Sequence, residues 1–176
     1  ETWQLEYIRK PAGGAWSAPV VLAKCPVPGY SHFMHSVSVG PTGALHLTLQ
    51  FHYAATGSAK QGRTKLAAHL RSDDDGDHWT SEGEACQLPV TIDNAHPIVS
   101  CLGDEAASIR IGTHVVDAGD EPWVFCSMPE APFGVMFHRT ESGWHTIDLD
   151  AACPELNFVE GRSTATSRDR SGRIHL

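Results

Sequence analysis

Three tryptophans close three similar segments, and their spacing constrains the fold more than any other feature of the chain. The segments are Tyr7–Trp16, His69–Trp79 and Phe137–Trp144. Each runs from an apolar strand through an arginine (Arg9, Arg71, Arg139) and a polar, glycine-containing turn to the tryptophan. The Trp-to-Trp spacings are 63 and 65 residues. A cysteine follows each Trp after seven to nine residues, at Cys25, Cys86 and Cys153. An independent pair, Gly43-Ala44-Leu45-His46-Leu47 and Gly172-Arg173-Ile174-His175-Leu176, lies 129 residues apart, two periods of about 64.5. A period of this size means copies of one supersecondary unit stacked on each other.

The unit is built of strands. Runs such as Leu45–His52, Lys65–Leu70, Ser108–Val116, Trp123–Ser127, Gly134–His138 and His145–Leu149 are rich in β-branched, aromatic or alternating apolar residues. Gly, Pro, Asp and Ser clusters separate them, and no long window carries a 3.6-residue apolar stripe. The expected class is therefore all-β. Charge narrows the partners. The chain has 13 Lys and Arg against 21 Asp and Glu, and no basic run that could follow a phosphate backbone. Nucleic acid is not an expected partner. Apolar runs fall well short of the roughly 20 residues that cross a bilayer, so no membrane partner is expected either.

The middle turn is the best preserved. Ser72-x-Asp74-x-Gly76-x-x-Trp79 matches the Asp-box pattern at its four defined positions. Ser and Asp oxygens suit backbone N–H groups in a tight turn, Gly takes a positive φ, and the Trp ring tucks beneath. On these residues the chain resembles the Asp-box (BNR-repeat) β-propellers of the sialidase superfamily. The resemblance implies part of a six- or seven-bladed propeller with four-stranded antiparallel blades, a ring of roughly 380–450 residues at this period. The blades then read as 1–26 (outer half), 31–90 (full, with the intact turn), 105–152 (full) and 158–176 (start of another). The remaining blades of the same propeller become an expected partner. The resemblance also favours a secreted or periplasmic location.

Spacing shows where the repeat is stretched. Trp79 to Gly119 spans 40 residues, whereas Trp16 to Gly43 spans 27. Gly43 to Trp79 spans 36, whereas Gly119 to Trp144 spans 25. The extra residues fall near 87–106 and 53–64, two loop classes that open on one face of a four-stranded meander. Long loops on a rigid scaffold commonly carry function. At that face we expect Tyr30, His32, His35, His52 and Tyr53, with His35, His52 and Tyr53 as proton-transfer candidates. Asp93 and His96 on the inserted loop, and Arg110, Glu160 and Arg162 on inner strands, are candidate substrate contacts. A guanidinium fork matches a carboxylate bidentately. A metal site from His32, His35 and His52 lacks any supporting motif, and no cofactor is expected.

The leading expectation is a sialidase-like glycoside hydrolase acting on an anionic, carboxylate-bearing oligo- or polysaccharide. The alternative is a polysaccharide lyase that cleaves a uronate glycan by β-elimination with His and Tyr. A non-catalytic glycan-binding propeller is the third reading.

Overall fold

A computed structural model describes residues 3–25, 33–54, 56, 58, 61–159 and 164–176. In chain order the elements are β1 (Gln4–Tyr7), β2 (Val20–Lys24), β3 (Phe33–Val39), β4 (Leu45–Tyr53), β5 (Arg63–Ser72), β6 (Thr80–Ser81), β7 (Glu84–Ala85), β8 (Pro97–Ser100), β9 (Arg110–Val116), β10 (Pro122–Ser127), β11 (Gly134–Thr140), β12 (Gly143–Asp148), α1 (Leu149–Ala152), β13 (Ser167–Arg168) and β14 (Ile174–His175). The all-β class holds. α1 is a single turn capped by Asp148, whose carboxylate accepts the Ala151 N–H.

Two antiparallel meanders dominate. β3, β4 and β5 pair in sequence, β6 and β7 continue the sheet, and β8 adds along β5. β9 to β12 form the second meander, in order. Hairpins β1–β2 and β13–β14 flank them. Alternation along the strands gives each large sheet two faces to bury. On one face of the first sheet, Leu47, Leu49, Phe51, Leu66 and Leu70 pack with Leu22 of β2 and with Trp79. Across the opposite face, Ala67 meets Ile109, Ile111, Val124, Cys126 and Phe137 of the second sheet's core. The far side of the second sheet packs Phe125, Met136 and Leu149 on Phe158 and Ile174. The sheets therefore stack face to face in an open row. Among the described residues they do not close into a propeller, and the ring expected from the repeat is corrected to this row. The repeat reports stacked copies of one meander; it carries no information on closure.

The turn at 72–79 joins β5 to β6. Gly76 N–H donates to Ser72 Oγ at 2.8 Å, and His78 N–H donates to Asp74 Oδ1 at 2.9 Å. Gly76 has φ +88°, and Trp79 Nε1–H donates to its carbonyl at 3.2 Å. Tyr7 of β1 closes on this turn, edge-on to Trp79 at 5.6 Å. The recurrent arginines join neighbouring sheets. Arg9 meets Asp77 at 2.5 Å, Arg71 meets Asp120 at 2.8 Å, and Arg139 meets Glu82 at 3.4 Å.

The stretched segment 87–106 is largely built into the scaffold. Val90 N–H donates to Leu22 O, and Lys24 N–H donates to Val90 O, which ties the segment to β2. Residues 97–100 then become β8. In its register Ser100 faces Leu66 and Pro97 faces Ala68, so the chain before β8 lies away from the start of β5.

Candidate active site

The starts of β3, β5 and β9 and the end of β4 come together at one end of the row. Register fixes the first part. Phe33 pairs with Phe51 and Tyr53 pairs with Arg63. β9 is docked onto this end through the buried Gln50, whose Oε1 accepts the Ile111 N–H at 2.9 Å. Thr64 O accepts the Ile109 N–H at 3.0 Å. Arg110 stands between these two anchored amides with an exposed side chain.

Strand alternation sorts the histidines. His46, Thr48, Gln50 and His52 share one face of β4, the face turned to β9; Leu49, Phe51 and Tyr53 share the other. His35 is directly opposite Leu49 and so lies on the Leu49 side. The sheet thus places His52 and Tyr53 at the end of β4 and His35 opposite Leu49, with His52 on one face and His35 and Tyr53 on the other. His35 is exposed on the edge strand and lines a cleft of about 260 Å³ with Met34, Ile111, Gly112 and Thr113. His52 is half-buried and lies against Gly62; a side chain there would overlap the imidazole.

Other expected contacts are placed elsewhere. Asp93 and His96 belong to the segment before β8. Asp93 N–H donates to Thr91 Oγ1 at 3.3 Å within a tight turn. His96 lines a different, smaller cleft with Leu70, Ser81 and Val90. Neither joins His35 or His52, because β8 runs its preceding loop toward the far end of β5. Tyr30, His32, Glu160 and Arg162 lie outside the described residues.

One polar cluster was not anticipated from the sequence. At the opposite end of the sheet joint, His46 and His69 meet at 3.1 Å between Nδ1 and Nε2, their rings stacked at 5.3 Å. His114 bridges Ser38 Oγ at 2.6 Å and Thr48 Oγ1 at 3.0 Å. Asp120 accepts from Thr42 Oγ1 at 2.6 Å and pairs with Arg71. Burial pushes the His46 and His69 imidazoles down, His69 far below the ordinary histidine range. Burial, with a smaller push from His46, brings His114 down to about 4. Burial works to raise Asp120, but the Thr42 hydrogen bonds and the Arg71 charge outweigh it and hold the carboxyl below its usual value. These groups join the two sheets, and burial disfavours the charged form of the three histidines. The signal in the sequence was the polar set at alternate positions 46, 48, 50 and 52 of an otherwise apolar strand.

With this geometry fixed, the row of sheets can be set against solved structures. The fold is similar to that of a polysaccharide lyase. A family PL25 ulvan lyase superposes with a TM-score of 0.61 over 81% of this chain, at 14% sequence identity. The same TM-score, coverage and identity apply to an ulvan lyase structure bound to -[GlcA(1-4)Rha3S]-. The chain spans about 37% of the length of those lyase chains. No family model matches the chain, and no curated protein does. These neighbours overturn the resemblance to the Asp-box propellers of the sialidase superfamily. That resemblance rested on one turn. A tight turn that satisfies its own backbone groups is a local solution and does not identify a family.

Proposed function

We propose that the chain is part of a polysaccharide lyase that cleaves an anionic, uronate-bearing glycan by β-elimination. The single observation that carries this reading is the shared fold with an ulvan lyase over most of the chain. The strand-end cluster suits the same chemistry. An elimination needs a base for the C5 proton, an acid for the leaving glycosidic oxygen, and a cation to neutralise the uronate carboxylate. The base takes the C5 proton, the C4–O bond breaks, C4 and C5 become doubly bonded, and the acid protonates the departing oxygen.

In this reading Arg110 neutralises the carboxylate through its guanidinium fork. His52 and Tyr53, adjacent at the end of β4, carry the proton steps, and His35 on the edge strand binds or orients the sugar. Tyr30, His32, Glu160 and Arg162 are proposed as further sugar contacts. Asp93 and His96 are not part of this site.

The test is product chemistry on a glycan of alternating glucuronate and sulfated rhamnose, the repeat seen in the neighbour's complex. A lyase produces an unsaturated uronate that absorbs in the near ultraviolet, one for each new reducing end. Reducing ends without the unsaturated product would contradict the reading. For the site, His52→Ala should lower turnover about 100-fold or more, as loss of an acid–base group does. Full activity in that variant would remove His52 from the mechanism.

A further inference from the structure

We propose that Lys65 is a positioning residue for Arg110: its side chain, re-aimed by a β-bulge, sets the backbone from which Arg110 reaches the uronate. This inference rests on the lyase reading for Arg110's role. The geometry behind it does not.

The pairing of β4 with β5 slips by one residue at this point. Phe51 faces Leu66 and His52 faces Thr64, so Lys65 is the extra residue. Bulges redirect side chains and are over-represented next to active sites. Here the redirected chain is a lysine, 7% exposed. Nζ donates to three main-chain carbonyls: Asp104 O at 2.6 Å, Glu105 O at 3.1 Å and Ala107 O at 2.8 Å. Three acceptors match the three N–H donors of a protonated amine.

These carbonyls belong to the segment that leads directly into β9. Main-chain contacts with the same bulge extend the clamp. Cys101 N–H donates to Lys65 O at 2.9 Å, and Ile109 N–H donates to Thr64 O at 3.0 Å. Thr64 N–H donates to Ser108 Oγ at 3.2 Å. Asp104 turns its own carboxylate inward, accepting the Ala106 and Ala107 N–H groups. Residues 101–109 are thus folded around the Lys65 side chain, and Arg110 follows immediately. Gln50 secures the other side through Ile111. The residue proposed to bind the carboxylate is held from both sides by the sheet that carries His52. A clamp of this kind places a guanidinium without touching substrate, and small misplacements cost rate steeply.

The experiment uses Lys65→Met, which keeps the apolar stem and removes the three donors, together with Arg110→Gln and the double variant. Amide hydrogen exchange is followed in all of them. The Ile109 and Ile111 amides should lose protection about tenfold or more in Lys65→Met, while the Leu47–Leu70 pairing keeps its own. With the uronate glycan, Lys65→Met should lower kcat/KM, and the double variant should be no worse than Arg110→Gln alone. Unchanged exchange at Ile109 and Ile111, or additive losses in the double variant, would overturn the proposal. Were Lys65→Met to unfold, Lys65→Gln, with two donors in place of three, should show the same pattern in weaker form; normal exchange and activity there would overturn it as well. Absence of unsaturated product from the wild-type protein would defeat the lyase reading, and the exchange arm would still decide the clamp.

Discussion

Asp120 illustrates how much one side chain can hold. Its carboxylate is 4% exposed and receives Thr42 and Arg71 while lying 3.6 Å from His46. Replacing it by alanine removes the acceptor of the Thr42 hydroxyl and one of the two carboxylates paired with Arg71, which keeps Asp73. Losing one partner of a fully buried pair costs about 3–5 kcal/mol; Arg71 retains some solvent, so we expect about 2–3 kcal/mol, read from urea unfolding. Leu49 offers an apolar comparison. It is wholly buried in the first core, and Leu49→Ala should cost about 2–5 kcal/mol by the cavity it opens. Gly62 lies against His52 of the proposed site. Because any side chain there meets the His52 ring, Gly62→Ala should reduce turnover on the uronate glycan while unfolding at nearly the same urea concentration.

The joint between the two large sheets is the element on which pH should act. His114 titrates at about 4 in the folded chain and at an ordinary 6.5 when unfolded. Between those values the unfolded state binds the extra proton, so stability rises with pH and is lost as pH falls from 6.5 toward 4. The loss from this group is on the order of 3 kcal/mol, and His69 moves in the same direction. The urea midpoint should therefore drop between pH 7 and pH 4. In His114→Gln, which keeps polar contact with Ser38 and Thr48, that drop should be smaller. Strand β4 also shows where reading a sequence stops. Its alternation of apolar and polar residues identified a strand correctly. Alternation usually means one wet face, yet here both faces are buried, because on the polar one Thr48 and Gln50 bond to His114 and Ile111 of β9 while His46 packs on His69 of β5. Periodicity reports faces and cannot report what covers them.

For the whole molecule, the internal period was legible and closure was not. The near-equal spacing of Trp16, Trp79 and Trp144 suggested propeller blades; the described residues show two successive antiparallel meanders and no closed ring. The same spacing says nothing about whether a row becomes a ring, and the turn at 72–79 led to the wrong family because its chemistry is local. The site was legible in part. His52 and Tyr53 lie at the end of β4 and His35 lies opposite Leu49, whereas Asp93 and His96 are drawn away by β8, a strand that no repeat copy anticipated. Lys65 was invisible, since only register reveals a bulge. The central claim is the chemistry, and product analysis tests it most directly. Incubated with a glucuronate–sulfated rhamnose glycan, the protein should release unsaturated uronate ends in equal number to new reducing ends, and His52→Ala should release almost none. Reducing ends without unsaturation, or glycan binding with no cleavage at all, would contradict the account.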